Sequence, residues 1–167
     1  MTIRDAVKAG GAERIYPVLR DEINAALKNA MKSRDQRRVA TLRLVNSAFQ
    51  SADIAVGAGK PALVDDELFS ILQKMIKQRQ ESAEIYEKGG RPELAKQERE
   101  EIEIITGYMP KQMSDVEAGS AISSIVQEIN AQGMKDMGRV MAALKERFTG
   151  KLDFAKASAK VKDMLKG

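Results

Sequence analysis

The residues of this sequence that could do chemistry are its cations and carboxylates, because it contains neither cysteine nor histidine. That composition removes disulfides, Cys/His zinc sites, cysteine nucleophiles and histidine-based acid–base catalysis. Lysine or carboxylate chemistry remains possible, but the composition argues against an enzyme that acts alone. We predict no catalytic residue, no metal ligand and no cofactor.

Positive charge is concentrated at the C-terminal end of the chain. Nine Lys or Arg and four Asp or Glu lie between Lys135 and Gly167, whereas the rest of the chain has a net charge of −1. Such asymmetry indicates a polyanionic partner for this segment, bound through phosphate contacts. An ordinary solvated lysine face is about equally plausible from composition alone. The candidate contacts are Lys135, Arg139, Lys145, Arg147, Lys151, Lys156 and Lys160.

A second basic surface is possible near the first helix junction, at Arg34, Arg37, Arg38 and Arg43. Arginines at this density could contact RNA. We favour the alternative that they pair with the acidic fourth helix, since helix faces of opposite charge often meet. The acidic run from Glu98 to Glu103 could in turn be a divalent-metal site. A solvated face, or a patch for a basic partner, fits it better.

Two glycine-containing segments could also hold phosphate. Gly89-Gly90-Arg91-Pro92 lacks the following Lys-Ser/Thr of a phosphate loop, and we interpret it as a turn between helices. Gly138 lies in the first turn of a helix, whose N–H groups could bind an anion. Asp136, as the predicted N-cap, would compete for those groups. We therefore predict close helix packing at Gly138.

The elements that position these residues are all predicted to be helices. Apolar residues recur at spacings of three and four in segments 18–32, 36–56, 65–88, 93–108, 114–132 and 136–149, and after Asp153. In the fifth segment Val116 is among the residues expected to point inward. We predict an all-α fold, with a long helical hairpin as its N-terminal part and a C-terminal three-helix bundle. The domains would be 18–110 and 114–167.

Residues 1–17 form a separate N-terminal extension in this scheme. They contain Arg4, Lys8 and Arg14 but no apolar core of a secretory signal. A mitochondrial presequence is conceivable, but Asp5, Glu13 and the presence of a single Ser or Thr argue against it. No apolar run in the chain approaches the length of a membrane span, so we expect no membrane partner. The absence of cysteine is consistent with a reducing compartment. We therefore expect a cytoplasmic protein.

Four segments together resemble the GatB/YqeY family over residues 18–165. They are Thr41-Leu42-Arg43; Tyr86-Glu-Lys-Gly-Gly-Arg-Pro-Glu-Leu-Ala95; Glu100-Glu-Ile-Glu-Ile-Ile105 with Tyr108 and Pro110; and Lys135-Asp-Met-Gly-Arg-Val-Met-Ala-Ala-Leu144. The family shares a segment with the tail of the B subunit of the glutamine-dependent Asp-tRNA/Glu-tRNA amidotransferase. In that enzyme the tail is a helical appendage that binds the tRNA body.

The resemblance implies that residues 114–167 form such a tail-like domain. It favours an accessory protein that binds tRNA or another structured RNA and has no catalytic centre of its own. One alternative is a helical adaptor that docks an amidotransferase or a synthetase through its acidic face. Another is an auxiliary component of a carbon–nitrogen ligase with glutamine as amido-N-donor, a label inherited from the large enzyme. The sequence gives no oligomeric state.

Overall fold

A computed structural model describes residues 18–167, and the predicted extension 1–17 lies outside these residues. The described chain is all-α, as predicted. The chain divides into two compact units, one that ends at Tyr108 (unit 1) and one that comprises Met109–Gly167 (unit 2). The helices are α1 (Val18–Ser33), α2 (Gln36–Val56), α3 (Asp65–Lys88), α4 (Pro92–Thr106), α5 (Asp115–Ile129), α6 (Met137–Phe148) and α7 (Phe154–Leu165).

Unit 1 is built from the four longest amphipathic segments. α1 packs against α2, α3 packs along α4, and α2 contacts both α3 and α4. The apolar residues at spacings of three and four meet in a core in which these side chains are fully buried: Leu19, Ile23, Leu42, Val45, Phe49, Leu68, Leu72 and Ile105. The α3–α4 hairpin expected from the short connection is therefore one half of a four-helix arrangement.

The turn between α3 and α4 follows from its sequence. Gly90 lies in the left-handed region with φ of 71°, where a residue without a Cβ is favoured. The N–H of Gly90 donates to Glu87 O at 3.2 Å and the N–H of Arg91 donates to Tyr86 O at 2.8 Å. These two bonds complete a helix C-terminus, and Pro92 then begins α4. The segment is a turn between helices, as predicted.

Unit 2 is a bundle of α5, α6 and α7, each of which contacts the other two. Its buried core includes Ile122, Ile125, Val140, Leu144 and Val161. Met137, Met141 and Phe148 are only half-buried at its edge. Ser114 caps α5, since its side chain accepts the N–H of Glu117. Asp153 caps α7, since its side chain accepts the N–H groups of Ala155 and Lys156.

Two predictions about α5 are wrong. The helix ends at Ile129 rather than at 132, because Asn130 adopts the left-handed conformation and Ala131 N–H bonds back to Val126 O at 3.0 Å. Val116 is 79% exposed and does not point into the core. Among the described residues, none of the helices is long and apolar enough to cross a membrane.

Candidate nucleic-acid interface

The approach to α6 differs from the predicted one. A short 3₁₀ turn, Met134–Asp136, precedes the helix, and the Asp136 side chain makes no capping bond to it. Instead, Asp136 Oδ2 accepts the N–H of Gln132 at 2.8 Å and Oδ1 accepts a hydrogen bond from Arg139 at 3.0 Å. The predicted N-cap role is wrong because the 3₁₀ turn directs this carboxylate back toward the end of α5.

The carboxylate of Asp136 is buried and ionised in this arrangement. The N–H of Gln132 lowers the pKa of Asp136 most, burial opposes this effect, and Arg139 and Lys135 lower the pKa further. Arg139 also donates to Ile129 O at 3.5 Å. Arg139 therefore joins α6 to the end of α5, and its charge is already balanced within the chain.

Gly138 has no close neighbour. A Cβ added at this position would meet no atom within 4 Å. The predicted helix packing at Gly138 is therefore wrong, because this side of α6 is open. The helical conformation of Gly138 does not require glycine either, since glycine is not at positive φ there.

Arg147 is also bound within the chain. Its two terminal nitrogens each lie 2.8 Å from one carboxylate oxygen of Glu128, a bidentate pair between α6 and α5. The hydrogen bonds from Arg147 lower the pKa of Glu128. Both side chains are about half exposed. A phosphate would have to compete with Glu128 for this guanidinium.

Three of the candidate lysines meet at one cleft. Lys151, Lys156 and Lys160 line a cleft of about 210 Å³, together with Gln112, Met113, Asp115, Ala118, Leu152, Asp153 and Ala157. We call it the lysine cleft. Its walls are the segment before α5, the loop before α7, the first turn of α5 and the first two turns of α7. The sequence alone could not show this cleft, since Asp115 and Lys151 are 36 positions apart.

The remaining two candidates in unit 2 are Lys135 and Lys145. Both are exposed, and neither forms an ion pair within residues 18–167. Lys151 and Lys156 are likewise exposed and without a carboxylate partner in that range. Unit 2 thus contains two kinds of cation: arginines that are bound to carboxylates, and lysines that are not.

The predicted second basic surface separates in the same way. Arg37 lies 3.4 Å from Glu100 and 3.8 Å from Glu101, which is the pairing with the acidic helix that we favoured. Arg38 lies 3.5 Å from Asp35 and donates to the Tyr108 hydroxyl at 3.5 Å.

Arg34 and Arg43 are exposed and form no ion pair among the described residues. Arg34 has φ of 57°, and the N–H of Asp35 bonds back to Ala30 O at 3.0 Å. Arg34 therefore occupies the left-handed position that ends α1.

The acidic helix contains a carboxylate that sequence reasoning did not single out as buried. Glu101 is 8% exposed and lies 2.9 Å from Arg79 of α3, and Gln97 donates to its other oxygen at 3.4 Å. Partial burial and repulsion by Glu101 raise the pKa of neighbouring Glu98, and Arg79 opposes this effect. In residues 18–167, no group of three or more carboxylates could hold a metal ion. The acidic run is therefore not a uniformly solvated face.

The fold and the cations define the class first. This is an all-α protein of two helical units, and the second unit presents lysines that form no ion pair with any carboxylate of residues 18–167. The family follows from comparison with known proteins. The family model described as Yqey-like protein matches residues 20–165, and the chain belongs to this family. This result confirms the resemblance found in the sequence.

Three fungal relatives bear the name "Altered inheritance of mitochondria protein 41, mitochondrial". The protein of Pyrenophora tritici-repentis is 27% identical over 78% of this chain and 73% of its own length. That of Clavispora lusitaniae is 31% identical over 70% of this chain and 67% of its own. The protein of Lachancea thermotolerans is 32% identical over 62% of this chain and 55% of its own length.

These names contradict the predicted cytoplasmic location. All three describe mitochondrial proteins, so the comparison points away from the cytoplasm. The prediction depended on the lack of cysteine and of a secretory signal, and neither feature distinguishes the cytoplasm from other reducing compartments.

Proposed function

We propose that this member of the YqeY-like family is an RNA-binding accessory protein that contacts structured RNA, with tRNA as the leading candidate, through the lysines of unit 2. The observation that carries the proposal is the division of the cations. Lys135, Lys145, Lys151 and Lys156 are exposed without a carboxylate partner among the described residues, whereas Arg139 and Arg147 are paired.

This division revises the predicted contact residues. A cation that is not neutralised within the protein releases a counterion from nucleic acid when it binds a phosphate. A guanidinium held by a carboxylate contributes less, because binding must first break the existing pair. We therefore assign the phosphate contacts to the lysines, and we assign Arg139 and Arg147 to the structure of the bundle.

The likeness to the tail of an amidotransferase subunit supports tRNA as the leading RNA, and it supports no reaction in this chain. The alternative of an adaptor with an acidic docking face loses support from the structure. Glu100 and Glu101 of that face already pair with Arg37 and Arg79. By similarity to the named relatives, the compartment that we propose is the mitochondrion.

Filter binding of the full chain to total tRNA across a series of salt concentrations tests the proposal. We expect the Lys135→Gln and Lys145→Gln changes each to lower the slope of log affinity against log salt by about 1. Arg147→Gln should leave the slope unchanged, since Glu128 neutralises this guanidinium in the wild type.

Glu128→Gln is the matched control, and it should change the affinity in the direction opposite to the lysine changes. It releases Arg147, so it should strengthen binding and increase the slope by about 1. If the wild-type protein does not retain tRNA at any salt concentration, or if both lysine changes leave the slope unaltered, the proposed function is wrong.

A further inference from the structure

We propose that the lysine cleft binds a terminal phosphate, so that unit 2 recognises an end of its RNA as well as the backbone. This inference rests on the proposed function and identifies the chemical group bound at one part of the same basic surface. The cleft is distinguished from the other lysines of unit 2 by its shape, by the way one amine is held, and by its charge balance.

One amine of the cleft is held in place without being neutralised. Lys160 Nζ donates to the main-chain carbonyl of Asp115 at 3.0 Å. This bond uses one of the three donors of the ammonium group, and the carbonyl carries no net charge, so the full positive charge and the other donors remain for a ligand. Arg139 and Arg147, whose partners are carboxylates, differ from Lys160 in this respect.

The walls of the cleft are fixed by hydrogen bonds between segments distant in sequence. Met113 N–H donates to Lys151 O at 2.9 Å, and the Gln112 side chain donates to Gly150 O at 2.6 Å. Leu152 and Ala157 are buried beneath it. The three lysines therefore extend from a framework that is already in place before a ligand binds, which reduces the entropy lost on binding.

The size of the cleft favours a group at the end of a chain. The cleft volume of about 210 Å³ is below the roughly 300–1,000 Å³ of pockets that enclose a whole small-molecule ligand, so it suits a small group such as a phosphate. A backbone phosphodiester is esterified on both sides, and the chain must continue in two directions. A terminal phosphate has a single ester bond, so it can enter a concave site while the rest of the RNA stays outside.

The charge of the cleft favours the same group. Two carboxylates, Asp115 and Asp153, line it beside the three lysines. Asp153 Oδ1 accepts the N–H groups of Ala155 and Lys156 at 3.0 and 3.3 Å, so this oxygen is used in the cap of α7. The net charge of the lining residues is +1, which attracts a dianion more strongly than a monoanion. A terminal phosphate carries a charge of about −1.5 to −2 at neutral pH, whereas a phosphodiester carries one negative charge.

The test compares one hairpin RNA prepared with a 5′-hydroxyl, a 5′-monophosphate or a 3′-monophosphate, bound to the full chain at fixed salt. We expect one of the two phosphorylated forms to bind about tenfold more tightly than the hydroxyl form, as one additional charge-assisted contact would give. The two phosphorylated forms show which RNA end enters the cleft.

Matched variants show whether the preference for a phosphorylated RNA end arises in the lysine cleft. Lys151→Gln with Lys156→Gln should abolish the preference for the phosphorylated end. Lys162→Gln with Lys166→Gln changes the charge equally outside the cleft lining and should preserve it. Asp115→Asn should increase the preference, because it removes a negative charge from the lining. Melting curves of each variant establish that unit 2 is folded.

Equal affinity for all three RNA forms would overturn the inference and leave RNA binding by unit 2 intact. Absence of binding to every form would refute the proposed function itself. A nucleoside monophosphate that binds as tightly as the phosphorylated hairpin would show that the cleft serves a free nucleotide, and the assignment to an RNA end would then be wrong.

Discussion

Within residues 18–108, fifteen Lys or Arg are matched by fifteen Asp or Glu, whereas Met109–Gly167 contains ten and seven, respectively. The ion pairs of unit 1 join Arg20 to Asp53, Arg37 to Glu100 and Glu101, Arg38 to Asp35, Arg79 to Glu101 and Arg99 to Glu87. Among the described residues, unit 2 has two such pairs, at Arg139 and Arg147. Five of the seven candidate contacts in unit 2 are lysines.

The two units show that charge count alone does not identify a binding surface. The ion pairs of both units use arginine, whose planar, forked guanidinium suits a fixed bidentate geometry. The lysines that lack such pairs are strongly hydrated point charges, which can exchange water or counterions for phosphate. What distinguishes a binding surface is therefore which of its cations are neutralised by carboxylates of the folded protein.

The largest effect is expected in unit 1, at the most buried ion pair. Glu101→Ala leaves Arg79, whose side chain is 14% exposed, without its partner at 2.9 Å. Loss of one partner of a buried pair should lower the free energy of unfolding by about 3 kcal/mol, the low end for such pairs because both side chains remain slightly exposed. Urea denaturation followed by circular dichroism measures this change.

Glu103→Ala is the matched control, since Glu103 is exposed on the same helix and forms no ion pair among the described residues. It should change the stability by less than about 0.5 kcal/mol. If the two variants are equally stable, the Glu101 network is no stronger than a surface pair, and the comparison between the units loses its basis. RNA affinity should be unaffected by either change, because the proposed contacts lie in unit 2.

A smaller effect distinguishes two glycines, one in each unit. Gly138→Ala should stabilise unit 2 by about 1 kcal/mol, because Gly138 is helical and a Cβ there meets open space. Gly90→Ala should destabilise unit 1 by about 1 kcal/mol, because Gly90 has φ of 71°. Thermal melts of both variants measure these opposite signs.

Gly138→Ala also tests the open side of α6 in the interface. We expect tRNA affinity to stay within about twofold of the wild type, the change typical of a surface substitution away from a contact. A variant that melts at a higher temperature but binds RNA much more weakly would show that the RNA backbone approaches α6 at Gly138. The assignment of phosphate contacts to lysine side chains alone would then be incomplete.

Local signals in the sequence predict most of the fold. The helix Gln36–Val56 follows from its apolar repeat and from Asp35, whose side chain accepts the N–H of Arg38 at 3.1 Å. Pro92 likewise predicts the start of α4. These features require no knowledge of distant contacts, because period and capping are properties of neighbouring residues.

The site was less predictable because its geometry depends on distant partners. The Gln112 side chain, for example, donates to Gly150 O, 38 positions away. The packing of the helices likewise decides that Arg147 pairs with Glu128. It also brings Lys160 to the carbonyl of Asp115. The sequence places Asp136 at a helix start, but it does not predict that the Asp136 carboxylate accepts the N–H of Gln132. The 3₁₀ turn that orients this carboxylate has no strong sequence signal.

The smallest expected effect is a difference between the units in acid. Asp136 and Glu128 in unit 2 have lowered pKa values, because N–H donors hold their ionised forms. Their contribution to stability is complete above the ordinary carboxyl pKa of 3.8 and 4.5, respectively, and is lost as the pH falls through the lowered values. Glu98 in unit 1 has a raised pKa, so its contribution is complete below 4.5 and is lost as the pH rises through the raised value.

Acidification from pH 6 toward pH 3 (about the range in which carboxyl groups titrate) should therefore weaken unit 2 more than unit 1. Hydrogen exchange of buried core amides in each unit measures this difference within one chain. Asp136→Asn should remove part of the acid sensitivity of unit 2, and Glu98→Gln should flatten the opposing trend in unit 1. If the two units lose protection in parallel, the carboxylates that distinguish them in the structure do not determine their separate responses to pH.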